Sequence, residues 1–176
     1  MKGLFVTILA FCIFTSCKTT HTSMLIADSY DEAKGETTLT LIPYGNIVIP
    51  GKWTKYNYNQ TSKQHFFRNS DSTAIAVAKN PIDKYPFYSS ELSNSELSKN
   101  WFEWESDFYS EKGIAVTQTN RETTKEYVIW KAKSSQVNSV FLYGVKNNLA
   151  YNFAVVTDNW TDEQRTKFLR ELWDIN

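Results

Sequence analysis

The sequence contains few of the residues that perform nucleophilic or metal-dependent catalysis. It has two cysteines, two histidines and six glycines among 176 residues. Cys12, Cys17 and His21 all stand near the N-terminus, so His65 is the only histidine in the rest of the chain. A zinc site needs three or four Cys, His or acidic ligands, and a triad needs a nucleophile, a histidine and an acid. His65 is followed by two phenylalanines, and we interpret it as an ordinary strand histidine.

Motifs for phosphate binding and for a nucleophile elbow are also missing. No Gly-rich phosphate loop and no Gly-x-Ser-x-Gly sequence occurs. We therefore predict no catalytic residue, no metal and no cofactor, and we expect the protein not to be an enzyme.

The chain has no excess of either charge and no long hydrophobic run. It carries 19 basic and 19 acidic residues, which argues against binding nucleic acid or an anionic membrane surface through net charge. The strongest apolar run, residues 4–14, is about half of the roughly 20 residues that a membrane-spanning helix needs. It follows Lys2 and precedes small residues, which is the architecture of an export signal.

The end of this signal, Phe14-Thr15-Ser16-Cys17, resembles the lipobox of bacterial lipoproteins. The resemblance implies that residues 1–16 are a signal peptide and that Cys17, the lipid attachment site, is acylated. Acylation would hold the protein to a membrane through its N-terminal lipid. Lys18 follows the cysteine instead of the Asp that retains lipoproteins at the inner membrane, so we expect the outer membrane of a Gram-negative-type envelope. The alternative is an ordinary secretory signal that happens to contain Cys17.

Removing residues 1–16 leaves 160 residues, enough for one domain with a substantial core. Residues 17–36 are rich in Thr, Ser, Asp and Lys, and we predict a flexible tether there. The folded domain is expected to span residues 37–176.

A helix is predicted from about Asn94 to Lys112. Its N-terminus has a capping box, Ser93 with Glu96, and Gly113 suits its C-terminal end. Four apolar residues recur at helical spacing and predict a buried face: Leu97, Trp101, Trp104 and Phe108. Three carboxylates on the same helix, Glu103, Glu105 and Asp107, are interpreted as a solvated face and not as a metal or acid-pair site. A second helix is predicted over Asp162–Asp174.

The remaining apolar segments predict β-strands. Asn147-Asn148 predicts a tight hairpin turn, which places Leu142 opposite Phe153 and Gly144 opposite Tyr151, with the tyrosine ring over the bare glycine. Both faces of this hairpin are apolar, so we expect both faces of the sheet to be covered. The predicted strands are residues 38–42, 47–49, 52–58, 65–67, 73–78, 114–119, 126–133, 139–146 and 149–157.

The order of these elements resembles a known fold. It consists of Pro50-Gly51-Lys52-Trp53 before an aromatic strand, then an amphipathic helix, an antiparallel run of strands and a C-terminal helix. This order resembles that of the PsbP-like family. The resemblance implies an α+β domain with an antiparallel sheet between helical layers, an α/β/α sandwich. It also implies protein binding without catalysis, as in photosystem II subunits, a Ran-binding import factor and periplasmic lipoproteins.

Aromatic residues make up 15% of the chain and are typical anchors of binding surfaces. The predicted surface comprises Trp53, Tyr56, Tyr58, Tyr85, Phe87 and Tyr88. The first hypothesis is a non-enzymatic accessory module that binds an envelope protein. The second is a module that binds a glycan or the cell wall. A third hypothesis, a hydrolase, would need His65 and a site that these residues do not assemble. The alternative to any binding surface is that Trp53 and about half of the tyrosines pack in the core.

Overall fold

The computed structural model describes residues 25–119 and 125–176. The signal peptide, Cys17 and the first part of the predicted tether lie outside the described residues. The helices are α1 (Asn94–Glu111) and α2 (Asp162–Asp174), with a 3₁₀ turn at Ile82–Lys84. The strands are β1 (Leu25–Asp31), β2 (Glu36–Ile42), β3 (Gly45–Pro50), β4 (Thr54–Asn59), β5 (Gln64–Arg68), β6 (Ala74–Pro81), β7 (Ala115–Gln118), β8 (Tyr127–Lys133), β9 (Asn138–Lys146) and β10 (Leu149–Val156).

Seven strands form the central antiparallel sheet, in the order β4-β5-β6-β10-β9-β8-β7. Its β9–β10 hairpin has the predicted register, with Leu142 opposite Phe153 and Gly144 opposite Tyr151. Both turn asparagines, Asn147 and Asn148, have positive φ angles of 54° and 60°, as a tight hairpin turn requires.

Each face of the central sheet carries its own hydrophobic core. One core lies under α2 and a small sheet of order β1-β2-β3, and it includes Leu39, Ile49 and Phe153. The other lies under α1 and includes Trp101 and Trp130. The predicted fold class, an α+β domain whose antiparallel sheet is covered on both faces, is therefore confirmed. The strands β2 and β3 were predicted, but they form with β1 a second, small sheet that belongs to one covering layer.

The predicted tether is wrong from Leu25 onward. Residues 25–31 form β1 and pair with β2 along its whole length, from Leu25 opposite Ile42 to Asp31 opposite Glu36. The side chains of β1 are mostly exposed, which explains their polar, tether-like composition. Backbone pairing is the main contact of this segment, with one side chain, Ile26, packed against the core. Asp28 also forms an ion pair of 3.9 Å with Lys55 of β4.

The ring that covers Gly144 belongs to Trp173 of α2, not to Tyr151. A Cβ atom at Gly144 would lie 2.3 Å from Cζ3 of the Trp173 indole. The Tyr151 ring instead packs edge-on against Trp173, with 5.6 Å between centroids. The glycine thus makes room for the helix above the sheet.

Helix α1 begins and ends as predicted. The Ser93–Glu96 capping box forms, and Gly113 has a φ of +72° just after the helix. The predicted buried face, however, is only half right. Leu97 and Trp101 are buried, whereas Trp104 is 48% and Phe108 is 52% exposed.

The inward face of the C-terminal half of α1 is displaced from the apolar pattern. Phe102 and Tyr109 contact the Trp130 ring, with centroids 5.8 and 5.3 Å apart. The position four residues after Trp101, which faces the same way, is occupied by Glu105. Glu105 therefore occupies an inward position that would suit an apolar side chain, and Trp104 occupies an outward position that would suit a polar one. Such local conflicts are expected at functional sites.

Candidate ligand-binding cleft beside helix α1

The six aromatic residues of the predicted surface do not lie together. Trp53 is only 6% exposed and packs in the core with Trp160 and Phe168. Its indole N–H donates a 2.7 Å hydrogen bond to the carbonyl of Pro50. Trp53 is therefore a core residue, and its place in the predicted surface is wrong. The alternating pattern around it could not distinguish the inward side of β4 from the outward side.

Two tyrosines of the set lie near the edge strand β4. Tyr56 is exposed at a register shift between Lys55 and Asn57, with the Arg68 guanidinium 4.7 Å from its ring centroid. Tyr58 stacks on His65 at 4.5 Å. Both rings thus have partners within the domain.

The other three residues lie in the loop after β6 and approach α1. Tyr85 and Phe87 pack on the Trp101 ring at 4.7 and 6.0 Å, and Phe87 also contacts Trp104 at 5.9 Å. Tyr88 is exposed. This half of the predicted surface therefore continues into the exposed part of α1.

Between α1 and the β4–β5 turn lies a cleft of about 450 Å³. It forms because α1 packs over β8 and β9 and leaves this corner of the sheet open. Aromatic side chains line one side and polar side chains the rim. The lining residues are Tyr44, Thr61, Ser62, Lys63, Asn80, Pro81, Lys84, Tyr85, Trp101, Trp104, Glu105 and Asn152.

Glu105 is the most unusual group in the cleft. Burial raises the pKa of its carboxyl above the ordinary value, and the neighbouring Trp101 indole N–H opposes that shift. The indole N–H makes no hydrogen bond of ordinary geometry with any described residue. The solvated face predicted for this carboxylate is therefore wrong, since Glu105 is half-buried beside aromatic rings.

Other polar groups of the cleft are affected by the same surroundings. Burial raises the pKa of the Tyr85 hydroxyl, while a hydrogen bond from Asn80 opposes the increase and Glu105 adds to it. Asn152 is 7% exposed, and its Oδ1 atom has no hydrogen-bond partner among the described residues. A buried acceptor without a partner costs free energy, and the same side chain also interacts with the buried Tyr143 hydroxyl.

A groove of about 490 Å³ continues from the cleft along the outer side of α1. It shares Trp104 and Glu105 with the cleft and adds Asp107, Phe108 and Glu111. The Lys112 ammonium lies 4.6 Å from the Phe108 ring centroid. We call the cleft and this groove together the α1 surface. Aromatic walls with a few converging polar groups are typical of binding sites.

No arrangement for metal-dependent chemistry is found in residues 25–119 and 125–176. These residues contain no group of three or more metal-ligating side chains suitably placed for an ion. Of the acidic trio on α1, Glu103 pairs with Lys99 at 3.5 Å. His65 is 2% exposed, its Nδ1 atom has no partner, and burial together with Lys55 lowers its pKa to about 4. It lies in β5 as expected of a strand histidine.

Within the described part of the chain, neither helix has the length and apolar composition needed to cross a bilayer.

Comparisons with known proteins find similarity of fold only. No family profile matches the chain, and no curated protein matches it significantly. The chain is similar to the solution structure of cyanobacterial PsbP (CyanoP) from Synechocystis sp. PCC 6803, with 10% sequence identity and a TM-score of 0.37. That similarity covers 88% of this chain and 93% of the cyanobacterial one.

Sequence reasoning found Tyr85 and Phe87 but missed Trp104, Glu105, Phe108 and Asn152. The helical spacing of Glu105 could have revealed the site, because Glu105 lies four residues after Trp101 and eight after Leu97, on the same side of the helix as both. When the next apolar residue stands one position away from the expected i+4 position, and a carboxylate occupies that position, the carboxylate is expected to face inward.

Proposed function

We propose that this protein is a lipid-anchored, non-catalytic binding module whose ligand-binding site is the α1 surface. The observation that carries the proposal is the half-buried Glu105 in an aromatic-lined cleft that also contains the unpartnered Oδ1 of Asn152. Core packing does not account for a carboxylate and an unsatisfied amide oxygen at one place, since both are costly without a partner.

The proposed partner is a protein of the bacterial envelope. The α1 surface extends from the cleft along the outer side of the helix, and its two most exposed large rings, Trp104 and Phe108, lie one helical turn apart. A helix face with i, i+4 aromatic anchors suits an extended partner segment better than a compact small molecule.

Site-specific crosslinking tests this proposal. A photoreactive phenylalanine analogue at Trp104 should capture one protein from intact cells, and the same analogue at Tyr56, which is also exposed, should not. The captured protein should then form a stoichiometric complex with the purified full chain, weakened by Phe87→Ala. Equal capture from both positions, or no complex with purified components, would contradict the proposal.

The anchor is supported by the lipobox-like residues 14–17. Mass spectrometry of the native protein should show a chain that begins at an acylated Cys17, in the outer-membrane fraction. Cys17→Ser should release the protein in soluble form. An unmodified thiol, or an intact leader, would refute the anchor without affecting the binding proposal.

A glycan ligand is the second candidate, and the exposed Trp104 indole beside a carboxylate favours it. Aromatic rings stack on sugar rings, and carboxylates accept hydrogen bonds from hydroxyl groups. Titration with chitohexaose should then quench tryptophan fluorescence in the wild type and not in Trp104→Ala. Trp53 is not a suitable reporter because it lies in the core.

A further inference from the structure

The α1 surface is acidic in a chain whose charges balance overall. The whole protein has equal numbers of basic and acidic residues. Helix α1 alone carries five carboxylates and one lysine. Three of these carboxylates, Glu105, Asp107 and Glu111, border the groove together with Trp104 and Phe108. The surface thus combines negative charge with exposed aromatic rings.

No ion pair within the described residues accounts for these carboxylates. Within residues 25–119 and 125–176, neither Asp107 nor Glu111 forms an ion pair. Glu111 ends the helix, and the last turn contains no basic residue, although negative charge at a helix C-terminus is unfavourable. Glu105 is half-buried, which further penalises its charged form. Residues that work against local stability in this way indicate a requirement of binding.

The groups that converge on this surface are mainly hydrogen-bond acceptors and π faces. Glu105 supplies a carboxylate, and Asn152, whose buried Oδ1 atom has no hydrogen-bond partner among the described residues, lines the same cleft. Aromatic faces attract ammonium and guanidinium groups. The Lys112 ammonium over the Phe108 ring shows this attraction within the molecule itself. Such a site complements a positively charged donor.

The two lysines of the cleft lie away from the groove. Lys63 belongs to the β4–β5 turn and Lys84 to the 3₁₀ turn, and both are exposed. Lys84 also has Asp83 at 3.7 Å. They border the opposite rim, so the negative side of the site is the helix.

We infer that the segment bound by the α1 surface is basic, with lysine or arginine side chains placed against Glu105, Asp107 and Glu111 and apolar side chains on Trp104 and Phe108. This inference rests on the proposed function and specifies its partner. It does not follow from binding alone, because an apolar or acidic segment would satisfy the proposed function equally well.

Fluorescence anisotropy on the full-length protein in detergent tests the inference with three probes. They are a labelled peptide of alternating lysine and leucine, the same peptide with glutamate replacing lysine, and labelled chitohexaose. The lysine peptide should bind with an affinity that falls as salt is added, since its ion pairs are partly exposed. Trp104→Ala should weaken it about tenfold, as loss of an aromatic anchor does.

Charge variants isolate the electrostatic part. The triple variant Glu105→Gln, Asp107→Asn and Glu111→Gln should weaken the lysine peptide about tenfold and remove most of the salt dependence. A control of matched chemistry on α2, Glu163→Gln with Glu171→Gln, should leave affinity unchanged. Lys84→Ala should not weaken binding.

Each other outcome has a distinct meaning. If the glutamate peptide binds as well as the lysine peptide and is sensitive to Trp104→Ala, the inference is wrong and the proposed function stands. If only chitohexaose binds at Trp104, both the inference and the protein-partner form of the function are wrong. Failure of the lysine peptide to bind at millimolar concentration, or binding unaffected by the triple variant, also overturns the inference.

Discussion

Replacing Gly144 with alanine should destabilise the domain by driving a methyl group into the Trp173 indole. The added Cβ would lie 2.3 Å from Cζ3 and 2.6 Å from Cη2 of the ring, distances that no packed pair of carbon atoms tolerates. The backbone of Gly144 has no positive φ angle, so the effect measures the collision and not backbone strain.

The magnitude follows from what Trp173 would lose on moving. Overpacking a core typically costs about 1–3 kcal/mol. The indole also lies 4.4 Å from the Lys146 ammonium and contacts the Tyr127 ring at 5.4 Å, and contacts of these kinds contribute about 0.5–1.5 kcal/mol each. We therefore expect the free energy of unfolding to fall by about 3 kcal/mol.

Urea unfolding of a double-mutant cycle is the assay. Trp173→Phe removes the outer ring of the indole, so Gly144→Ala should cost less than about 1 kcal/mol in that background. The coupling free energy between the two sites should then be about 2 kcal/mol. If Gly144→Ala unfolds at the wild-type urea concentration, or if the two costs simply add, the assignment of Trp173 as the residue that requires Gly144 is refuted.

Three further predictions concern stability. The pKa of buried His65 is lowered in the folded state, so the unfolded state takes up the proton first as the pH falls, and the wild type loses stability between pH 6.5 and 4. His65→Phe should remove this loss. Urea unfolding should show that the wild type loses about 2 kcal/mol more than the variant over that range. Trp53→Ala should cost about 3–5 kcal/mol and Trp104→Ala less than about 1 kcal/mol by the same method, since only the first ring is in the core; equal costs would contradict the placement of both. Asn176→Ala should cost about 1–2 kcal/mol, because the Asn176 amide accepts from Val48 N and donates to Val48 O, both at 2.8 Å. Asn176→Asp should cost at least as much, because it turns a carboxylate oxygen toward the carbonyls of Val48 and Leu172, to which the amide donates; a smaller loss would refute a role for the donor.

Local sequence signals predicted most of the fold. The capping box of α1 and the asparagine pair of the β9–β10 turn each act within a few residues, so their geometry follows from nearest neighbours. The β9–β10 hairpin is apolar on both faces, which predicted that other elements pack against each face of the sheet. The strand β1 could not be found this way. Its partner β2 begins only a short turn later, but most side chains of β1 are polar and exposed, so the segment lacks the apolar alternation that predicts a strand.

The candidate site was predicted only in part, for a related reason. Tyr85 and Phe87 were found because a proline-containing loop does not bury its aromatic residues completely. Trp104 was assigned to the core because hydrophobicity was taken to mark the inward face of α1. Which face a helix buries is decided by tertiary packing as well as by its own pattern, and here Glu105 takes the inward position. A site built on such an exception is difficult to recognise from apolar periodicity.

If Cys17 carries the proposed lipid, the pairing of β1 limits how far the domain can stand from the membrane. With a lipid on Cys17, only residues 18–24 separate the anchor from the first strand residue, Leu25. Seven residues reach at most about 25 Å even when fully extended, against about 65 Å for the nineteen residues of a tether that continued to Glu36. If Cys17 carries the proposed lipid, Leu25 would therefore lie within about 25 Å of the anchor, which would restrict the domain to partners near the membrane surface.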